Sequence, residues 1–292
     1  MKNIPLMNLK TLLYTIILST SFFLIENQSF AQGYKIKTIV IDAGHGGKDG
    51  STRGLYSTEK DVALKTALRL GKLIEENLTG VKVIYTRTED VFIPLYERIA
   101  LANTMKADLF ISIHCNDMPV VSTRYIDGYT KTKKGKRVPI YKTRYAKSTS
   151  TRGTETFVSG TGRLSEQDDV IKRENAAMFL EDNYKENYEG FNSDDPESAI
   201  ILSLMKNTFR TQSLKLAKFV QDEYVNVGRI NRGVQEKSLA VLARAGMPAI
   251  LTEIGFISNP DEENYMNSEA GQIEITNCLL KAIKAYQQSV EI

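Results

Sequence analysis

The sequence has no tryptophan, only two histidines and only two cysteines in 292 residues. Two cysteines exclude a disulfide-scaffolded mini-protein and a four-thiolate metal site. Charge of one sign is also missing: 38 basic against 35 acidic residues leave +3. A global field able to hold nucleic acid is thereby excluded. Hydrophobic residues make up 42% and charged residues 25%, ordinary values for a globular chain. A collagen-like, disordered or multi-span membrane protein is excluded on that composition. No internal repeat is visible, and beyond residue 31 no apolar run is long enough to cross a bilayer.

Residues 1–31 read as a secretory signal. Lys2 and Lys10 supply a positive start, and Leu12–Leu24 is an apolar run. Ser29-Phe30-Ala31 puts small residues where a signal peptidase reads, so cleavage is expected after Ala31. The run is shorter than the roughly 20 residues of a spanning helix, which argues against an uncleaved anchor. The expectation is an exported chain with no stable membrane insertion once the signal is removed.

The remainder, 32–292, alternates between two patterns. Ile36–Asp42 (IKTIVID), Val81–Thr86 and Asp108–His114 are short β-branched runs. Between them, Thr58–Leu78 and Leu95–Met105 carry apolar residues at helical spacing. This rhythm predicts an α/β domain with parallel strands and right-handed crossovers. After Asn116 it breaks. Arg124–Arg152 is basic, with Asp127 its one acid, and reads as a loop. Gly153–Val158 suggests a strand, Glu166–Tyr188 is helix-prone and Ile200–Val225 is a long amphipathic helix. Ala240–Arg244 looks strand-like, Pro248–Ile254 (PAILTEI) is a clear strand, and Glu269–Gln288 closes the chain as a helix.

Both histidines fall at carboxyl ends of predicted parallel strands, where open α/β sheets place their sites. His45 follows IVIDAG and His114 ends DLFISIH. Glu59 opens the first helix, after a loop able to fold back, and Glu253 lies near the end of PAILTEI. Two imidazoles and one carboxylate make an open zinc set that leaves a position for water. Zinc brings the pKa of such a water to about 7, and a second carboxylate beside it can move the proton. On that pattern His45, Glu59 and His114 are candidate metal ligands and Glu253 the candidate acid/base. Each residue has a plainer reading as well: a hydrogen-bonded histidine, a charge at a helix N-terminus, a paired buried carboxylate.

The stretches IVIDAGHGGKDGSTRG, STEKDVAL, VIYTRTEDVFIPLYERIALAN, ADLFISIHCN, GTETF and PAILTEIGFISNPDEENYM resemble, in order, the zinc-dependent N-acetylmuramoyl-L-alanine amidases of the Amidase_3 family. The resemblance implies a single domain with a mixed central sheet, helices on both faces and a helical insertion. It implies one zinc ion on His45, Glu59 and His114, with Glu253 catalytic. The implied reaction is hydrolysis of the amide between the lactyl group of N-acetylmuramic acid and L-alanine of the peptidoglycan stem peptide. Two alternatives remain open: a non-catalytic wall-binding or activator protein on the same fold, and another zinc amidohydrolase acting on wall peptides.

Residues 118–231 are expected to form the insertion, with the basic loop at 124–152 and a helical cover at 165–198. Similar amidases carry a helix there that a partner, commonly a LytM-domain activator, displaces. Glu174 lies at the expected junction of core and cover. By the same resemblance the enzyme is periplasmic. The basic tract, with Tyr125, Tyr129, Tyr141 and Tyr145 interleaved, suits acidic wall polymers, pairing with the acidic segment, or simple solvation; binding of nucleic acid is not expected. Arg53, Arg87 and Arg98 are expected to serve structural salt bridges with Glu89, Asp90 or Asp108 rather than substrate. Asn116 and Asn259 are expected either to shape the site rim or to make ordinary turns. Cys115 reads as a small buried thiol, and a bridge to Cys278 is left open.

Overall fold

The β-branched runs at the start of the domain assemble into one sheet. The computed structural model describes residues 35–291 except 161, 166 and 189–195, and for 196–207 the backbone alone. The signal segment 1–31 lies outside the described residues, as does part of the expected cover. Ile36–Ser289 make up one unit.

In chain order the strands are β1 (Thr38–Ala43), β2 (Lys82–Tyr85), β3 (Leu109–Asn116), β4 (Val120–Lys131), β5 (Arg137–Lys147), β6 (Thr154–Ser159), β7 (Asn231–Lys237) and β8 (Ala249–Phe256). The helices are α1 (Glu59–Asn77), α2 (Leu95–Thr104), α3 (Asp169–Asn175), α4 (Tyr184–Asn187), α5 (Pro196–Asn226), α6 (Pro260–Asn267) and α7 (Glu269–Val290). Six strands form the sheet in the order β2-β1-β3-β8-β6-β7. The first four run parallel, β6 is antiparallel to β8, and β7 is parallel to β6. The expected mixed sheet is therefore present.

Strands buried on both faces need apolar residues throughout, and every residue of β3 and of β8 is buried. Alternation sorts them. Val40, Phe110, Phe157 and Leu251 join Leu95 and Ile99 of α2, Met178 and Leu242 in one apolar cluster. Their neighbour Thr252 instead meets the hydroxyl of Tyr224 on α5. Gly71 lets α1 pass close to β2, because a Cβ there would stand 1.9 Å from the Tyr85 hydroxyl. No helix among the described residues is long and apolar enough to cross a membrane.

Three expectations are corrected. The basic stretch expected as a loop at 124–152 is for most of its length an antiparallel ribbon, β4 paired with β5. Val, Ile, Thr and Tyr flank its lysine-rich turn, and their preference for extended backbone prevails over the charge. Ala240–Leu242 is a 3-10 turn, not a strand. The span 118–231 is also not one appendage, because β6 sits inside the sheet between β8 and β7. The edge strand β7 escapes hydrophobic patterning, since NRGVQEK is mostly polar. The helix-prone stretch 166–188 is divided into α3, a 3-10 turn at Ala176–Leu180, and α4.

Candidate metal centre

β1 delivers the chain into a turn through Gly44–Gly47. Gly44 lies against the imidazole of His114, and a Cβ there would come within 2.5 Å of ring atoms. Only glycine lets the two strand ends approach. His45 has φ 57, in the left-handed region, which costs a residue other than glycine about 1 kcal/mol or more.

Two buried arginines hold that conformation. Arg98 donates to the carbonyls of Ala43 and His45, each at 2.8 Å, and to the carboxylate of Asp42 at 3.0 Å. Arg87 donates to the carbonyls of Ala43 and Gly44 at 2.9 and 2.7 Å. Asp42 also accepts from Ser112 and Thr86. Burial works against the Asp42 charge, but Arg98 and the two hydroxyls hold its pKa below the usual range. Both arginines are thus structural, as expected, but their partners are Asp42 and backbone carbonyls rather than the acids anticipated. Arg53 sits in a short bridge to Thr58.

Glu59 begins α1 and turns inward, fully buried. Its Oε2 accepts from the Thr52 hydroxyl at 2.7 Å, and its Oε1 from the Cys115 amide at 3.0 Å. Asp49 hydrogen-bonds Nδ1 of His45 at 2.8 Å, which leaves Nε2 facing inward. β3 places His114 in register with Glu253 of β8. Parallel pairing therefore sets those two side chains next to each other at the sheet's carboxyl edge.

The structure brings together His45, Glu59 and His114, and adds Glu174 of α3. Nε2 of His45 lies 3.2 Å from Oε1 of Glu59 and 3.6 Å from Oε2 of Glu174. Nδ1 of His114 lies 3.1 and 2.9 Å from the same two oxygens. Donors about 2.0–2.1 Å from a tetrahedral ion stand about 3.3 Å apart, so these separations suit one divalent cation. Nε2 of His45 and Oε2 of Glu174 are buried without a hydrogen-bond partner. That is expected of donors that share a cation rather than a proton.

The electrostatics agree. Burial opposes charge on both rings, but the carboxylates outweigh it. Glu174, with help from Glu59, pushes His114 up to about 9, and Glu59 and Asp49 hold His45 well above the imidazole range. Burial likewise opposes charge on Glu59 and Glu174, and the imidazoles pull both below the carboxylate range. Two buried carboxylates thus demand positive charge at this point.

Glu253 differs. Burial, then the neighbouring Glu174 and Glu59, push it up to about 8 against the pull of Arg173. Its Oε1 accepts from Arg173 Nη2 at 3.0 Å, while Oε2 has no partner.

Sequence reasoning placed Glu174 at the junction of core and an acidic cover able to compete for zinc, without naming it as a member of the cluster, and missed Arg173 as the partner of Glu253. Both lie on a seven-residue helix remote in sequence from the strand ends, and no periodic signal points there. Asn116 donates to Glu155 at 2.9 Å, and Asn259 caps α6 by accepting from the amides of Asp261 and Glu262. Cys115 and Cys278 are both free and buried.

Buried imidazoles and carboxylates at the carboxyl edge of an α/β sheet thus form a site able to hold one divalent cation. The chain belongs to the Amidase_3 family, N-acetylmuramoyl-L-alanine amidase, whose profile matches residues 39–285. It is 32% identical over 251 residues to N-acetylmuramoyl-L-alanine amidase AmiC of Escherichia coli O6:H1, a match covering 85% of this chain and 52% of that protein. It is 27% identical to AmiA of Escherichia coli K12, covering 86% of this chain and 76% of that protein. The crystal structure of an N-acetylmuramoyl-L-alanine amidase from Clostridium difficile 630 is similar, with TM-score 0.57 and 25% identity. It covers 88% of this chain and 99% of that one. The chain spans about half the length of its AmiC relatives.

Proposed function

We propose that the chain is a zinc-dependent peptidoglycan amidase. It cleaves the amide between the lactyl group of N-acetylmuramic acid and L-alanine of the stem peptide. The observation that carries this reading is the convergence of His45, Glu59 and His114 beside Glu253. Two imidazole nitrogens with a carboxylate oxygen suit zinc better than magnesium or calcium, which prefer oxygen alone. When bound, zinc supplies a Lewis acid for the scissile carbonyl and a water acidic enough to react near neutral pH.

The protein does the rest. Asp49 fixes the tautomer and direction of His45. Arg98 and Arg87 keep the Gly44–His45 backbone in place. Glu253 takes the proton of the attacking water on its free oxygen and returns it to the alanine nitrogen.

The described state is a closed one in this reading. Glu174 Oε2 stands 3.6 and 2.9 Å from the two imidazole nitrogens, where it would compete with water for a bound ion, and the adjacent Arg173 ties up Glu253. One movement of α3 would withdraw both. A LytM-domain activator is the proposed cause of that movement, residues 165–198 the proposed cover, and 1–31 a cleaved signal that delivers the enzyme to the periplasm. The test is incubation of the activated chain with purified peptidoglycan. New amino-terminal alanine on released stem peptides supports the reading, and new amino termini on any other residue oppose it.

A further inference from the structure

The ribbon β4–β5 supplies none of the clustered side chains just described, yet it stands out among the described residues for its exposure and charge. Between Val120 and Lys147 it carries nine lysines and arginines against Asp127 alone. It therefore holds +8, and the rest of the chain is left at −5 against a total of +3. A two-stranded ribbon exposed on both faces is marginally stable by itself, and nearly every residue of both strands is exposed.

Its two faces differ. Alternation along β5 puts Arg137, Tyr141 and Tyr145 on one face. The cross-strand contacts add Arg124, stacked 4.1 Å over the ring of Tyr141, and Tyr129, under Arg137 at 3.9 Å. Planar rings capped by guanidinium groups thus repeat along a ribbon about 35–40 Å long. The opposite face presents Lys142 and Arg144, and Lys142 is neutralised by Asp127 at 2.6 Å.

The root of the ribbon is fastened to the site. Lys147 pairs with Asp117 at 2.5 Å, and the Asp117 carbonyl accepts from Arg173 at 3.1 Å, the same arginine that holds Glu253. The root of the ribbon is thus joined to Glu253 through Asp117 and Arg173.

We propose that the Arg124–Tyr141 and Arg137–Tyr129 face of the ribbon is a docking arm for a polyanionic glycan, a chain of sugar rings bearing carboxylate-rich peptides. The guanidinium groups, held over Tyr141 and Tyr129, meet the carboxylates, and the exposed ring of Tyr145 on the same face offers a flat apolar platform to a sugar. This rests on the peptidoglycan reading above. The acidic remainder of the protein repels such a polymer, so attraction is confined to the arm. Root and site together favour the polymer that is to be cut over a lipid surface or nucleic acid.

The test is co-sedimentation of the full chain with purified, protein-free cell-wall sacculi, on ice, at several salt concentrations. Two charge-matched variants are compared, R124Q/R137Q and K142Q/R144Q, with thermal melts to confirm that each folds. The proposal expects R124Q/R137Q to weaken binding about tenfold, the scale of two exposed charge contacts and their stacked rings. K142Q/R144Q should change it less than about threefold. Addition of Y145A should weaken binding at high salt, where charge is screened and the exposed ring remains. Equal losses in the two charge variants, absence of sacculus binding, or equally tight binding to anionic vesicles or duplex DNA would overturn the arm. Amide cleavage is scored separately on the unmutated chain. Failure of the amidase reading would show as absent product with sedimentation intact.

Discussion

Oε2 of Glu174 and Nδ1 of His114 meet at 2.9 Å in the buried heart of the site. One comes from a short helix outside the sheet and the other from β3, one of the two central strands of the sheet. The contact ties α3 directly to the imidazole and carboxylate cluster.

The first prediction follows from that contact. Glu174→Ala should raise the rate of wall hydrolysis, by about tenfold if the closed arrangement is favoured by roughly 1.4 kcal/mol. The measurement is release of soluble fragments from purified cell wall by variant and parent at equal zinc loading. An unchanged or lower rate would mean that Glu174 does not restrain the enzyme.

Glu253→Gln should keep the metal and lose turnover. Proton transfer by a positioned side chain is typically worth roughly 10²–10⁴. Zinc content by elemental analysis, alongside the rate on wall fragments, separates the two effects. A variant that works at near parental speed would remove Glu253 from the chemistry.

Metal affinity should grade with distance from the ion. His114→Ala is expected to abolish stoichiometric zinc binding. Asp49→Asn, which only orients His45, should weaken it by about 10–100-fold. Competition with a chromophoric chelator reads both, and equal affinities in parent and His114→Ala would contradict the ligand assignment.

Much of this architecture was legible in the residues. Strand-end placement of His45 and His114 follows from β-branched runs ending in glycine or polar residues, and β1, β3 and β8 lie where those runs predict. Glu59 and Glu253 were visible by position. The rest was hidden for physical reasons. Glu174 reaches the cluster only through tertiary packing of α3, which Asp168 caps by accepting from the amides of Val170 and Ile171. The partners of Arg98 are chiefly backbone carbonyls, and these leave no mark on sequence pattern. The ribbon was masked by its lysines, although Tyr129, Ile140 and Tyr141 carried the extended preference.

Stability should show the Asp42–Arg98 pair in its pH dependence. The folded pKa of Asp42 is depressed, so its contribution is full above its unfolded value of about 3.9 and is lost as pH falls toward the lower folded value. Asp42→Asn should be destabilised at neutral pH by about 3–5 kcal/mol, since Arg98 stays buried without its counter-charge. The gap between variant and parent should narrow below about pH 4. Denaturant unfolding at pH 7 and at acid pH measures it; a gap independent of pH would contradict the pairing.

The most direct measurement is digestion of purified peptidoglycan by the zinc-loaded protein and by the same protein after chelation, with fragments identified by mass spectrometry. The account predicts stem peptides beginning at L-alanine and glycan strands with intact lactyl groups, formed only by the metal-loaded protein and restored by added zinc. Cleavage elsewhere in the polymer, or equal release by the chelated protein, would contradict it.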